Sequence, residues 1–188
     1  MKKIKIESVC LHDNFEGHGE IKEKLIDLVL QADAKKLEDE DNNIKRTDWG
    51  TASNQNREWV NYFTPHLRKN FDRMLDKIGF GIDYIIKSLW FQHYIKSNKH
   101  DWHTHSSNFT GVYYLKFDGK DKTQLLNTYD NELINIDSKE GDLIIFPSSV
   151  VHRCPIVKNE KIIISFNFEV SSFTNKFKQF MKDSFTND

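Results

Sequence analysis

Three histidines are spaced so that they could bind one metal ion. His103 and His105 are separated by a single residue, and His152 follows 47 positions after His105. Neutral imidazole is the commonest metal ligand among protein side chains. Three ligands on one side of an ion leave its opposite side open, which suits a catalytic metal better than a structural one. The spacing therefore predicts a catalytic metal centre.

The sequence around these histidines is typical of strand ends. The pair HxH follows a predicted strand, and His152 ends the segment GDLIIFPSSVVH, in which an apolar strand makes a proline turn and then delivers an imidazole. The other histidines are expected to be ordinary. His12, His18 and His66 have no partner in sequence, and His93 lies inside a predicted strand as a core or barrel-lining residue.

The second half of the chain is predicted to be an antiparallel β-structure. Short apolar or alternating segments recur about every ten residues and are separated by turn signals, which favours a sandwich or a barrel. The predicted strands cover residues 82–95, 109–117, 123–127, 132–136, 141–146, 150–157 and 161–170.

Helices are expected at both ends of the chain. Apolar residues within 21–29 recur at helical spacing, and a second helix is predicted to begin at Thr64-Pro65 and to stop at Gly79. The polar segment 37–56 is predicted to be a long surface loop. Residues 173–181, rich in phenylalanine, predict a closing amphipathic helix. The fold class is therefore α+β, mainly β, with helices packed on one face of a β-sandwich.

Composition narrows the class of protein. The chain has 188 residues, which predicts one domain, and 27 basic residues nearly balance 28 acidic ones. That balance gives no support for nucleic acid or a membrane surface as partner. Cys10 and Cys154 are too few for a disulfide framework, and we find neither a signal-peptide pattern nor an apolar run of membrane-spanning length. We therefore expect a cytoplasmic protein.

Three segments carry a resemblance to a known family. WHTHSSNFTGVYYL, EGDLIIFPSSVVHRCPI and EKIIISFNF resemble the core of the iron(II)- and 2-oxoglutarate-dependent oxygenases, in particular the small prolyl-hydroxylase-like proteins of bacteria and their viruses. The similarity covers residues 89–168. It implies a double-stranded β-helix, or jelly roll, over residues 82–170, with helical support and a loop in residues 1–81 and a C-terminal helix in residues 171–188.

The resemblance also implies a metal site. His103 matches the first iron ligand of the family and His152 matches the distal one. His105 stands where most members have a carboxylate, and an imidazole there makes the site one charge more positive. Asp101 could supply the carboxylate instead, although it precedes His103 rather than following it.

A cosubstrate site follows from the same comparison. Lys161, nine residues past His152, falls where the family places the basic residue that binds the C5 carboxylate of 2-oxoglutarate. Strand alternation puts Lys161, Ile163 and Ser165 on one mixed face. Tyr114 matches a position whose hydroxyl joins the basic residue, and Tyr113 is expected to point the other way, although the sequence leaves the order of the two open.

The implied activity is that of a non-haem iron(II) hydroxylase. Such an enzyme uses O2, converts 2-oxoglutarate to succinate and couples this decarboxylation to oxidation of a substrate C–H bond. The substrate, a peptide side chain or a small molecule, is not identified by the sequence, and neither is the oligomeric state. Two alternatives remain open: a three-histidine iron dioxygenase that does not use 2-oxoglutarate, as in the thiol dioxygenases, and a non-catalytic, cupin-like metal-binding module.

Overall fold

Two antiparallel sheets and two helices make up the described part of the chain. The computed structural model describes residues 4, 8–77, 82–173, 175, 178, 179 and 182. The helices are α1 (His18–Gln31) and α2 (Glu58–Lys77), and the strands are β1 (Leu11–Asn14), β2 (Lys35–Glu38), β3 (Asn43–Thr47), β4 (Ile82–Tyr94), β5 (His100–His103), β6 (Phe109–Lys116), β7 (Gln124–Asn127), β8 (Glu132–Asn135), β9 (Asp142–Pro147), β10 (Val151–Cys154) and β11 (Lys161–Phe173).

The two sheets differ in size and in what covers them. The larger sheet has the strand order β1-β9-β6-β11-β4-β3-β2, and the smaller one has the order β5-β10-β7-β8. Buried side chains from both sheets form an inner core, which includes Tyr114 of the larger sheet and Leu125 of the smaller. This pairing of antiparallel sheets confirms the predicted α+β, mainly β, jelly-roll architecture.

Helices cover the outer face of the larger sheet. Ile162, Ile164 and Phe166 of β11 are buried in one cluster with Phe63 and Phe71 of α2. The alternate residue Ile163 belongs to the inner core. Because both faces of β11 are buried, its sequence reads as an almost continuous apolar run. The predicted packing of N-terminal helices on one sheet is confirmed.

The predicted loop over residues 37–56 is wrong. This segment contains the end of β2, all of β3 and a 3-10 turn at Trp49–Thr51. Ile44 is fully buried, and the Thr47 hydroxyl donates to the carbonyl of Phe91 at 2.7 Å. The polar composition concealed these strands because β2 and β3 are short and lie at one edge of the sheet, where polar side chains face water.

The predicted start of the second helix at Thr64-Pro65 is also wrong. α2 begins at Glu58 and contains Pro65, which has no N–H to donate to the carbonyl one turn earlier. Trp59 and Phe63 are buried, so tertiary packing of the first turns outweighs the lost hydrogen bond. The predicted stop at Gly79 lies outside the described residues, as does most of the predicted C-terminal helix.

Buried Asp48 joins the N-terminal segment to the sheet. Its carboxylate accepts hydrogen bonds from the indole Nε1 of Trp59 at 2.8 Å and from the backbone N–H of Phe91 at 2.9 Å, and it pairs with Arg57. Since a buried carboxylate is costly unless it is paired and hydrogen-bonded, these partners fix the turn at a single position. Among the described residues, no helix is long and apolar enough to cross a membrane.

Gly111 provides a test of how tightly the helices pack on the sheet. A Cβ built at this position of β6 would lie 2.2 Å from the Phe166 ring and 2.4 Å from the carbonyl oxygen of Ile144. We expect Gly111→Ala to lower the free energy of unfolding, measured in urea, by about 3 kcal/mol. Gly19→Ala is the control, because a Cβ there meets nothing within 4 Å. Equal stability of the two variants would contradict the described packing.

Candidate metal centre

The pairing of β5 with β10 brings the predicted ligands together. His103 pairs with His152, whereas His100 pairs with Cys154, so three steps along β5 oppose two steps along β10. One extra residue on β5 is a β-bulge, a feature that re-aims side chains and is frequent beside active sites. Because of the bulge, His100 and His103 both line the same cavity, with ring centroids 3.9 Å apart.

His105 reaches the same place from the loop that follows β5. Its backbone N–H donates to the carbonyl of Ser148 at 3.0 Å, and the N–H of Ser148 donates to the carbonyl of Asn108 at 3.1 Å. These bonds tie the loop to the turn that precedes β10. Potential ligand atoms of His103, His105 and His152 all lie within 4.8 Å of one another.

Two of the three imidazoles are already oriented as metal ligands. Nδ1 of His103 lies 2.7 Å from the carbonyl of Asp101, and Nδ1 of His152 lies 2.9 Å from the carbonyl of Val150. A carbonyl can only accept, so in each ring Nδ1 carries the proton and donates it. The Nε2 lone pair of each neutral ring is then free for a metal, with a second-shell hydrogen bond that fixes the tautomer.

Burial keeps these rings neutral. It lowers the pKa of His152 to about 3 and that of His105 to about 4, and in both cases the neighbouring His103 lowers it further. Burial also lowers the pKa of His103 itself. Metal binding requires deprotonated ligands. Because the three rings are already neutral at neutral pH, the cluster can bind an ion without first losing a proton.

The donor set therefore fits a divalent transition metal. Three neutral nitrogen donors converge, and imidazole suits iron, zinc, copper and nickel. The Asp101 carboxylate is not part of the cluster: it accepts the backbone N–H of Trp102 at 2.7 Å and lies 3.7 Å from the Lys99 ammonium. Within the described residues, His105 rather than Asp101 accompanies the other two histidines.

A fourth histidine, His100, was missed in the sequence. Its Nδ1 lies 3.0 Å from the side-chain nitrogen of Gln92, whose oxygen accepts the Ser165 hydroxyl at 3.1 Å. Burial lowers the pKa of His100 to about 3, with His103 as the second cause. The spacing HxxHxH was visible, but strict alternation would have directed His100 and His103 to opposite faces, and only the bulge brings them together.

The remaining histidines have ordinary structural partners, as predicted. His12 lies 2.7 Å from the Asp142 carboxylate, and His93 lies 2.9 Å from the Glu160 carboxylate. The ring of His18 bonds to the Tyr113 hydroxyl at 2.6 Å. His93 is buried and has a partner, which agrees with the first of its two predicted alternatives, a core residue rather than a barrel-lining one.

Lys161 is a buried basic residue near the histidine cluster. Only 1% of its surface is exposed, and its Nζ donates to the carbonyl of Asp121 at 2.6 Å and lies 3.5 Å from Sγ of Cys154. The rings of Tyr114 and Phe117 surround it, with centroids 5.3 and 5.0 Å from Nζ. Among the described residues no carboxylate forms an ion pair with it, which leaves its charge without an anionic partner.

Tyrosine hydroxyls lie in the same part of the interior. The Tyr114 hydroxyl donates to Oγ1 of Thr123 at 2.8 Å and accepts the Thr123 N–H at 3.1 Å. Tyr113 faces the helices instead, packed between Phe15 and Phe63. The Tyr94 hydroxyl is buried in the same region, with the Cys154 thiol beside it.

One narrow cavity connects these groups. Its volume is about 20 Å³, which is room for one water molecule. It extends from the histidine cluster to Tyr94, Thr123 and Cys154, the residues around Lys161, with Val112 and Ile163 as its apolar walls. A larger molecule would have to displace some of these side chains.

Known proteins resemble this chain in structure rather than in sequence. No family model matches the chain, and no curated protein matches it. Three solved structures superpose well. A 2OG-Fe(II) oxygenase family oxidoreductase from Burkholderia pseudomallei has a TM-score of 0.69 at 13% identity, with 88% of each chain covered. A prolyl-4-hydroxylase from Pseudomonas putida has a TM-score of 0.65 at 12% identity, covering 87% of this chain and 93% of that one.

The third is a viral collagen prolyl hydroxylase from Paramecium Bursaria Chlorella virus-1, in complex with 2OG. Its TM-score is 0.59 at 18% identity, covering 85% of this chain and 94% of that one. The chain has the fold of the 2-oxoglutarate- and iron(II)-dependent oxygenases. The fold implied by the sequence resemblance is thus confirmed, and the proteins that share it include bacterial and viral ones. At these identities the oxygenase fold is what the likeness establishes.

The histidine cluster predicts metal binding that can be measured without any activity. We expect cobalt(II) or nickel(II) to raise the melting temperature of the protein, because an ion that binds only the folded state stabilises it. His103→Ala and His152→Ala should each abolish this rise. His66→Ala, at a histidine outside the cluster, is the control and should retain it. An unchanged shift in the cluster variants would place the metal elsewhere.

Proposed function

We propose that the chain is an iron(II)- and 2-oxoglutarate-dependent oxygenase, acting as a hydroxylase. One observation carries the proposal: inside an oxygenase fold, three neutral histidines line one end of a cavity, and a buried lysine without an ion-pair partner among the described residues contacts Cys154, which also lines that cavity. The first suits a metal and the second suits an anion. 2-Oxoglutarate is a dianion that reacts at a metal and needs its far carboxylate held.

His103, His105 and His152 would hold the metal. Bound iron(II) would supply the activation of O2 and the binding of the keto-acid end of the cosubstrate. All three ligands are neutral, so the site keeps the full positive charge of the ion and attracts an anionic cosubstrate more strongly than a site with a carboxylate ligand. The hydrogen bonds from the Nδ1 atoms of His103 and His152 fix the direction of their lone pairs before any ion binds.

Lys161 and Tyr114 would hold the C5 carboxylate. A buried ammonium without an anion is costly, and the incoming carboxylate removes that cost. Tyr94 lines the same cavity, and its hydroxyl would add a third donor at the same end. Nζ of Lys161 is already held in place by its hydrogen bond to the carbonyl of Asp121. Binding of the carboxylate would therefore require little movement of the ammonium group.

The walls of the cavity would protect the reaction from water. Val112 and Ile163 are apolar and nearly fully buried, and Trp90 packs beside His105 with ring centroids 5.5 Å apart. Exclusion of water strengthens electrostatic contacts within the site and limits side reactions. The substrate would be a peptide side chain or a small molecule.

We further propose a cytoplasmic location. Cys10 and Cys154 are both free thiols in the described structure, which agrees with a reducing compartment. Cys154 contacts Lys161, so its reduced state would matter for the cosubstrate site.

The proposed function predicts a visible signature. Mixing the protein with iron(II) and 2-oxoglutarate without O2 should give a metal-to-ligand charge-transfer band, measured by absorption spectroscopy. Admission of O2 should yield succinate, measured by chromatography. Absence of the band together with absence of succinate would overturn the proposal. Metal binding with neither signal would favour the three-histidine dioxygenase or the non-catalytic module.

Lys161→Met should separate cosubstrate binding from folding. Hydrogen bonds to charged groups contribute about 1.5–3 kcal/mol each, so 2-oxoglutarate affinity, measured by titration of the charge-transfer band, should fall roughly 10- to 100-fold. Thermal stability of the protein without 2-oxoglutarate should not fall, because the change removes a buried charge that has no anion. Lys87→Met, at an exposed lysine 3.5 Å from Glu169, is the control. Unchanged affinity in the Lys161 variant would support a dioxygenase that does not use 2-oxoglutarate.

A further inference from the structure

A second concave site lies on the outside of the smaller sheet. This outer groove has a volume of about 770 Å³, within the range of small-molecule sites. Its lining runs from the start of β5 across β10 and β7, and it includes the loop before β7 and the segment after β10. Among the lining residues are Lys99, Asp101, Gln124, Arg153, Ile156 and Lys158.

The outer groove is on the opposite side of the strands from the metal cluster. Successive residues of a strand point to opposite faces, so Trp102 and Arg153 face outward next to the inward His103 and His152. The Arg153 side chain therefore faces the groove rather than the histidine cluster, although Arg153 and Cys154 line both the groove and the cavity.

Arg153 is held rigidly in this groove. Its guanidinium carbon lies 4.3 Å from the centroid of the Trp102 ring, and its Nε donates to Oε1 of Gln124 at 2.8 Å. Gln124 is fixed in turn, because its side-chain nitrogen donates to Oδ1 of Asn135 at 2.8 Å. An arginine that is stacked and hydrogen-bonded loses little further freedom when it binds a ligand.

The terminal nitrogens of Arg153 have no partner among the described residues. Its Nε donates to Gln124 and the face of its guanidinium packs on Trp102. Neither Nη atom forms a hydrogen bond or an ion pair with a described residue. Asp101 lines the same groove, but its carboxylate lies near Lys99 and accepts the backbone N–H of Trp102. The free edge of the guanidinium can thus offer two parallel donors, the arrangement that matches carboxylate and phosphate oxygens.

The surrounding charges are also favourable to an anion. Lys120 and Lys122 line the groove and are paired with Asp118 and Asp137, respectively, so they add little net charge. Lys158 lines it as well and has no ion-pair partner among the described residues. Asp121 lines the groove too, and its carboxylate accepts the backbone N–H of Lys158 at 2.6 Å. Arg153 and Lys158 together outweigh this single carboxylate, so the groove keeps a positive balance, although the chain as a whole has a net charge of −1.

We propose that the outer groove is an anion-binding site for a small molecule that carries carboxylate or phosphate groups, with Arg153 as its anchor. Arg153 binds one oxoanion through its free Nη edge, and Lys158 neutralises a second negative group. The exposed side chain of Ile156 offers an apolar contact beside them. This site does not depend on the proposed oxygenase activity.

The proposal is tested by calorimetric titration of the metal-free protein, with citrate as the polycarboxylate probe and inorganic phosphate as the phosphate probe. Saturable binding of at least one probe is expected, and the preferred probe identifies the source of the oxoanion. Arg153→Gln should weaken that binding at least tenfold, and Arg153→Lys, which keeps the charge but not the two-pronged edge, should weaken it less. Arg68→Gln is the matched control, since Arg68 lies over the Tyr84 ring at 5.7 Å on helix α2.

Two results would overturn the proposal. One is the absence of saturable binding of either probe at millimolar concentration, and the other is wild-type affinity in Arg153→Gln. Misfolding of the variant is excluded by its cobalt(II)-induced rise in melting temperature, which should equal that of the wild type. Because no iron or 2-oxoglutarate is present, failure of the proposed function would leave these titrations unaffected.

Discussion

The register between β5 and β10 is the constraint on which the candidate site depends. Pairing of His103 with His152 sets two potential ligands side by side, and the extra residue of β5 adds His100 behind them. A shift of this register by one residue would send a ligand to the outer face of the sheet. The loop bonds of His105 to Ser148 and of Ser148 to Asn108 fasten the two strands at the same level. The helices and the larger sheet serve to hold this pair in place.

The interior combines groups that proteins seldom bury together. Four neutral imidazoles occupy one end of a narrow cavity, and an ammonium lies behind the other end. Neither arrangement stabilises the folded protein without a ligand. The imidazoles lose their hydration on burial, and the ammonium has no anion among the described residues. Destabilising arrangements of this kind are typical of binding sites, where the ligand supplies the missing partner. The apolar outer core of α2 and β11 supplies the stability that the interior does not.

Local pattern predicted much of this fold. The strands of the second half and the inward face of Lys161 and Ser165 follow from alternation, because those strands are regular and half or fully buried. Alternation also puts Tyr113 and Tyr114 on opposite faces, but it does not decide which of the two faces inward. β2 and β3 escaped because short edge strands keep polar side chains. The true start of α2 could not be predicted from the sequence, because packing of Trp59 and Phe63 outweighs the proline signal at Thr64-Pro65. The position of His100 beside the cluster could not be predicted, because a bulge breaks the strand alternation from which side-chain directions are inferred.

The absence of a carboxylate from the histidine cluster has a consequence for metal selection. Divalent ions bind nitrogen donors in the Irving–Williams order, in which copper and zinc precede iron(II). A carboxylate ligand moderates that order because it is a hard oxygen donor, and this cluster has none among the described residues. Its ligand chemistry alone therefore does not select iron. Cavity geometry and the metals available in the cell would therefore have to contribute to the choice of ion at a cluster of this kind.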